Sequence, residues 1–417
     1  MTRNANTEDF IQTRRVLKRP GFPLLLAAEI VSGTGSMMTA LALPWFVLQT
    51  TGSPSRASAV LAVEIAPVLI LGIPSGTVAA RLGAKKTLLL TQVLAAPLIA
   101  LIPLLHHADL LTFPVLLVLV FLTGTLWTPF YAAQATIIPE LLGEDEHVVG
   151  EGNAILQGAT RSTYWLGPLA AGFLIAAFDA PVVLLIDAAT FLAGFVLLIG
   201  VRAPGASVAT EDINDILGGV RFIARTPLLR SITVAQVLSQ ASYQSLVLAL
   251  PVLAFVRFEQ NARVAGLLDG AWGAGAFIGT LVAIPLVARG DPLVLASAGW
   301  IAQALPLWLL VARVPVPLLV VLLLASGLAN GIRNPPTATL AILRVPASLR
   351  PQAASAAAAA GMLGGLVMLA ATGPSLEHLG VSPTFVGIAT ASSLGAALFV
   401  AAARRERQGQ QARREGR

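Results

Sequence analysis

The chain has 417 residues, 56% of them hydrophobic and 12% charged, with a mean hydropathy of +0.80. Such a composition cannot cover a water-soluble surface, so lipid must be its main solvent. The formal net charge is +6; with no cysteine there is no disulfide, thiol redox chemistry or Cys-ligated metal, and the four histidines fall in no metal-binding pattern.

A helix rises about 1.5 Å per residue, so about 20 apolar residues cross the hydrocarbon layer. Twelve such runs are predicted, at approximately 22–49, 56–80, 87–106, 110–136, 153–177, 181–201, 228–256, 262–288, 292–312, 315–340, 352–373 and 382–403. None alternates as barrel strands do, and lipid demands internally bonded backbone, so the spans read as helices of an all-α membrane protein. The first 20 residues are polar and basic and the run after them is too long for the core of a cleaved signal peptide, so the first span is expected to remain in the mature protein.

Charges inside spans are costly and are functional candidates by default. In chain order they are Glu29 in span one, Glu64 in span two, Arg161 in span five, Asp187 in span six, Asp269 in span eight and Arg333 in span ten. Arg161 and Arg333 lie two to three turns from the predicted cytoplasmic ends, within snorkelling reach of headgroups. Glu64, Asp187 and Asp269 lie about 10 to 12 Å from the outer ends of their spans by helical rise, where water can solvate them. Glu29 is too short to snorkel, which makes it the leading candidate for coupling protons to transport, with Glu64 and Asp269 behind it; Asp187 reads as a structural acid.

Between the spans, basic residues collect on one side. Arg81, Lys85, Lys86, Arg202, Arg221, Arg225, Arg230, Arg289, Arg344, Arg350, five basic residues before position 20 and six arginines after position 403 share it; Arg56, Arg257, Arg263 and Arg313 take the other. The positive-inside rule puts the first group and both termini in the cytoplasm. The excess charge then reads as topology and contact with anionic lipid, with no call on nucleic acid. The acids Glu140, Glu144, Asp145, Glu146 and Glu151 lie on the same side as Arg81, Lys85 and Lys86, either as a solvated loop or as a closing latch. No GxxxxGK[ST] phosphate loop exists; the glycine runs at 33–35 and 270–279 lie inside spans, where close helix packing is their expected use.

The sequence repeats at half its length. With a shift of 207, the ALP at Ala42–Pro44 meets the ALP at Ala249–Pro251, and Gly72, Gly83, Gly124, Pro129 and Pro139 meet Gly279, Gly290, Gly331, Pro336 and Pro346; Gly167 and Pro168 meet Gly373 and Pro374 at 206. Glycine and proline set helix packing and kinks, so their recurrence in order predicts two pseudo-symmetric six-helix bundles. The expected boundaries are 1–201 for the first bundle, 202–227 for a cytoplasmic linker with an amphipathic helix around GGVRFIAR, and 228–417 for the second bundle and a basic tail.

Six plus six helices with a charged central loop resemble the major facilitator superfamily. GTVAARLGAKKTL at 76–88 resembles its signature after span two: Gly76, Arg81, Gly83 and Lys85 match, while Ala80 stands at the usual Asp and Ala84 at a usual basic residue. LGPLAAG at 166–172 is similar to the span-five motif of proton-coupled exporters, with Gly167, Pro168 and Gly172 kept and Ala171 replacing a glycine. ALPWFVLQTTGS at 42–53, IDAATF at 186–191 and GGVRFIARTPLLR at 218–230 resemble the branch holding macrolide efflux pumps and enterobactin exporters. These residues would govern conformational change. The resemblance also implies that spans one, four, seven and ten line a central cavity. Its candidate lining is Trp127 and Tyr131, Gln236, Gln240 and Tyr243, and Asn330, Arg333 and Asn334. Few polar groups among aromatics suit a mostly apolar organic solute.

The expected function is therefore a proton-coupled exporter of an amphipathic small molecule of drug, antibiotic or siderophore type, in the cell's inner membrane and working by alternating access without a cofactor. An importer or facilitator on the same scaffold is the nearest alternative. A non-transporting sensor is the other, to which Ala80 lends slight support. No nucleophile with a base, and no metal cluster, can be assembled for catalysis.

Overall fold

Each apolar run becomes one long helix in the computed structural model, which describes residues 16–143, 145–202, 216–346 and 349–415. The side chains of 72–80, 216–217, 351, 409–410 and 412–415 are outside that description, as are Arg3, Arg14, Arg15, Glu144, Glu211, Asp212, Asp215 and Arg417.

The first six helices are α1 (Phe22–Thr51), α2 (Pro54–Leu82), α3 (Ala84–His107), α4 (Phe113–Leu142), α5 (Glu146–Phe178) and α6 (Ala180–Ile199). The short amphipathic α7 (Ile216–Arg225) follows, and its Phe222 and Ile223 pack against Leu229 and Ala353. The second six are α8 (Pro227–Arg257), α9 (Ala262–Arg289), α10 (Pro292–Leu309), α11 (Val316–Leu343), α12 (Arg350–His378) and α13 (Val381–Glu415). Among the described residues, eleven of the twelve long helices are long and apolar enough to cross a membrane by themselves. The exception is α5, whose first turns carry Glu146, Glu151, Gln157 and Arg161.

Side-chain caps start several helices: Asp145 accepts from His147 N and Val148 N, Asn261 from Arg263 N and Val264 N, and Asp291 from Leu293 N and Val294 N. Asp291 also pairs with Arg407, and Arg344 with Glu406 at 3.4 Å. Partial burial works to raise the Asp291 carboxyl, but the Arg407 and amide hydrogen bonds outweigh it and hold it below the usual range. These pairs lie along α13, which runs on as helix past its apolar end at about 403 into the basic tail.

The half-length repeat has a structural counterpart in helix packing. Gly124 on α4 lies against the Glu64 carbonyl of α2, and Gly331 on α11 lies against the Ala276 carbonyl of α9. A β-carbon at either position would enter the backbone of the neighbouring helix, so both halves need glycine to bring their fourth and second helices together. Pro44 lies seven residues before the end of α1 and Pro251 six before the end of α8, at matching depths.

Contacts divide the chain into two compact units, 1–43 with 63–211, and 44–62 with 212–417. The segment Pro44–Ala62, the end of α1 and the start of α2, thus packs with the second half of the sequence. In the first unit, Phe22, Leu25, Leu88, Ile137, Ile138, Leu156 and Leu198 form one buried apolar cluster. In the second, Leu228, Ile232, Leu293, Trp300, Leu340 and Phe399 form another.

Candidate functional site

Five helices of the first unit present small polar and aromatic side chains to a common cleft. On α4, Trp127, Phe130, Tyr131 and Gln134 recur at the spacing of one helix face; on α1, Glu29, Ser32, Gly33, Ser36 and Met37 do the same. Thr91 and Gln92 of α3, Thr160, Thr163 and Tyr164 of α5, and Phe191 of α6 line the remaining walls. The cleft has a volume of about 70 Å³. That is room for a few waters.

Glu29 is 4% exposed, and its Oε2 accepts a 2.6 Å hydrogen bond from Gln134 Nε2. No cation pairs with it among the described residues. Trp127 and Tyr131 stack with centroids 5.7 Å apart, and Phe130 meets each edge-on. Trp127 also hydrogen-bonds to Glu64 of α2, so the aromatic face of α4 stands between the two acids. Gln92 donates to Ser32 at 2.9 Å, while its own Oε1 has no partner. Deeper in the same unit, the buried Asp187 of α6 accepts from Thr39 of α1 at 2.5 Å and from Thr190 at 3.1 Å. Gly35 leaves room for that pair, since a β-carbon there would occupy the position of Thr190 Oγ1. Asp187 thus links α6 to α1 through Thr39.

In the second unit the corresponding polar side chains bond to one another. Gln236, the repeat mate of Glu29, accepts from Arg333 Nη1 at 3.2 Å; Arg333 Nη2 donates to Ser239 at 2.5 Å and Nε to Gln303. The guanidinium lies 3.8 Å from the Trp300 ring centroid, a stacked cation–π contact. At 2% exposure Arg333 is turned into its own unit and does not snorkel. Asn330 donates to Gln303 at 3.2 Å and accepts from Asn334 at 3.0 Å. Positions 29 and 236 thus both accept a hydrogen bond from the fourth helix of their own half, as a carboxylate in one and an amide in the other. Gln240 lies against Gly361 and Gly365 of α12, and Tyr243 packs on Trp272 with ring centroids 4.8 Å apart. The half-buried Asp269 has no hydrogen-bond or ion-pair partner among the described residues.

The Major Facilitator Superfamily profile matches residues 25–260. The chain belongs to the Major Facilitator Superfamily. It is similar along most of its length to the multidrug efflux pump Tap of Mycolicibacterium fortuitum, at 28% identity over 89% of this chain and 93% of that one. Tap of Mycobacterium tuberculosis (strain H37Rv) is 24% identical, over 89% and 90%. Among solved structures, the nucleoside transporter NupG aligns at a TM-score of 0.71 and 15% identity, covering 91% of this chain and 98% of that one. A bacterial homologue of the human lysosomal transporter Spinster, inward-facing and unoccupied, aligns at 0.69 and 14% identity, covering 94% and 97%. These likenesses establish the fold. The protein is a multi-pass membrane transporter, a class that is not enzymatic.

Of the superfamily signature, Gly83 takes φ +82° at the turn between α2 and α3, a conformation that favours glycine, and Lys85 Nζ donates to Ile199 O at the end of α6 at 3.0 Å. Arg81 is exposed, and Gly76 falls in the stretch whose surroundings are outside the description. Asp145 serves as a helix cap, and among the described residues no ion pair joins the acids at 140–151 to Arg81, Lys85 or Lys86. The closing-latch reading of that loop finds no support in these contacts. Gly167 packs on Met37 and the Thr34 carbonyl of α1, with Pro168 and Gly172 buried nearby on α5. Sequence reasoning missed Gln134, which bonds to Glu29, Gln303, which bonds to Asn330 and Arg333, and Gln92, which bonds to Ser32 on the cleft wall. Their signal was available: an amide inside an apolar span needs a partner as a charge does.

Proposed function

We propose that this transporter is a proton-coupled exporter of amphipathic organic solutes, working by alternating access with both termini in the cytoplasm. The observation that carries the reading is Glu29: a buried carboxylate, with no paired cation among the described residues, on the wall of a cleft rich in aromatic side chains. Gln134 suits a titrating partner, because its amide can donate to the carboxylate and, turned over, accept from the protonated acid. Trp127, Phe130 and Tyr131 offer flat apolar surface, and the unpartnered Gln92 Oε1 offers an acceptor for a solute donor. The relatives named as multidrug efflux pumps favour export and a broad solute range.

Alternating access requires a contact that forms in one state and breaks in the other. The packing of Pro44–Ala62 within the second unit is suited to that role. Glu377 of α12 accepts from Ser53 Oγ at 2.7 Å and from Ser55 N at 3.0 Å, Ser58 donates to Leu369 O, and Trp45 meets Phe255 edge-on at 5.5 Å. These bonds are exposed to solvent at Glu377, so removing them should loosen the contact without unfolding it. The chain's lack of cysteine permits a clean readout. In Ala57→Cys, a membrane-impermeant maleimide added outside cells should label slowly, and adding Glu377→Ala should speed labelling. Unchanged labelling would remove the gate, and labelling only from the cytoplasmic side would reverse the orientation.

A further inference from the structure

The strongest unassigned site is an open hollow at one end of the second unit. It is lined by Val256, Arg257, Arg313, Leu379 and Ser382, among others, and has a volume of about 820 Å³. Arg257 is the last residue of α8, and Arg313 lies in the connection between α10 and α11. Ser382 opens α13, so the hollow lies at the opposite end of that helix from Arg404 and Arg405.

Two guanidinium groups share this hollow, and no acid lines it among the described residues. Arg257 Nη2 donates to Ser382 Oγ at 2.7 Å, and Nη1 reaches the Ala312 carbonyl only at 3.4 Å. The two arginines act on each other as like charges, and neither is in an ion pair among the described residues. Like charges held together disfavour the fold unless an anion answers them. The rim is apolar: Val256 is 62% exposed and Leu379 67%. Planar guanidinium donors match phosphate oxygens, and an apolar rim beside them matches acyl chains.

We propose that this hollow binds the phosphate headgroup of an anionic phospholipid, with Arg257 and Arg313 as its ligands and the acyl chains lying along the Val256 and Leu379 side. The site is independent of the transported solute. It also gives a use to arginines on the side of the membrane that the positive-inside rule leaves poor in basic residues. Ser382 holds Arg257 in place, and the exposed Arg313 is free to close on the headgroup.

The test uses the full chain in phosphatidylcholine nanodiscs, with phosphatidylglycerol titrated in and the retained lipid counted by native mass spectrometry. Each basic residue near an anionic lipid contributes about a fivefold gain in affinity, so Arg313→Gln should weaken phosphatidylglycerol retention about fivefold and the double variant with Arg257→Gln about 25-fold. Arg313 is exposed and lies outside the helices, so its single variant keeps the experiment decisive if the double variant unfolds. Retention equal to that of the unmodified protein in Arg313→Gln would overturn the proposal. So would inorganic phosphate at millimolar concentration displacing the lipid as well as phosphatidylglycerol itself does, since the site would then be one for a free anion.

Discussion

Glu29→Gln is expected to abolish uphill, gradient-driven efflux while leaving folding and solute binding in place. The substitution keeps the size of the side chain and its hydrogen bond to Gln134, but it cannot titrate. A net hydrogen bond in a protein is worth about 1 kcal/mol, so even an imperfect Gln–Gln pair should hold solute affinity within about tenfold. Coupled flux should fall to that of protein-free liposomes, and solute-dependent proton movement should vanish with it. Downhill exchange of solute for solute should persist. Asp187→Asn should behave differently: Asp187 bonds Thr39 and Thr190 away from the cleft lining, so its loss should register as reduced stability before reduced coupling. If Glu29→Gln retains full gradient-driven efflux, the coupling role passes to Glu64, which shares Trp127 with the cleft, or to the unpartnered Asp269.

The second large effect concerns the glycines that join helices two and four of each half. Glycine to alanine within a helix normally stabilises by about 1 kcal/mol, because glycine is the weaker helix former. At Gly331 the added carbon would meet the Ala276 carbonyl, and at Gly124 the Glu64 carbonyl; both are backbone and cannot turn aside. Overpacking of this kind costs about 1–3 kcal/mol or more, so the sign reverses. Gly331→Val and Gly124→Val should lose more than about 3 kcal/mol and elute largely as aggregate. Gly158→Ala is the control: nothing lies within 4 Å of its added carbon, and it should raise the melting temperature slightly. Equal melting temperatures for Gly331→Val and the unmodified protein would show that the close approach is not needed.

The helices were legible because lipid leaves the backbone few choices: an apolar run of about 20 residues without alternation has to be a helix. Even so, α5 reaches further than its apolar part, from Glu146, because Asp145 caps it and its polar first turns need not lie in hydrocarbon. The repeat was legible through glycine, since Gly124 and Gly331 sit where a helix backbone arrives. Within the site, Glu29 stood out by its charge, whereas Gln134, which holds it, looked like any other amide. Arg333 illustrates what periodicity cannot give. Its span was visible, but whether its side chain faces a cavity or Gln303 and Trp300 depends on helix rotation, which packing sets. The grouping of Pro44–Ala62 with the second unit was equally hidden, because Ser53 and Ser55 find Glu377 across more than 300 positions of sequence.

The central claim is that solute export and proton movement are one process, and flux in a closed membrane tests it most directly. The purified protein would be placed in liposomes carrying a pH-sensitive dye, with an imposed proton gradient and a panel of antibiotics, siderophores and cationic dyes. The account predicts that at least one amphipathic solute moves against its concentration gradient only while the proton gradient lasts, and that adding this solute releases protons in the opposite direction. Solute movement that is indifferent to the proton gradient, or no solute-dependent proton flux with any member of the panel, would contradict it.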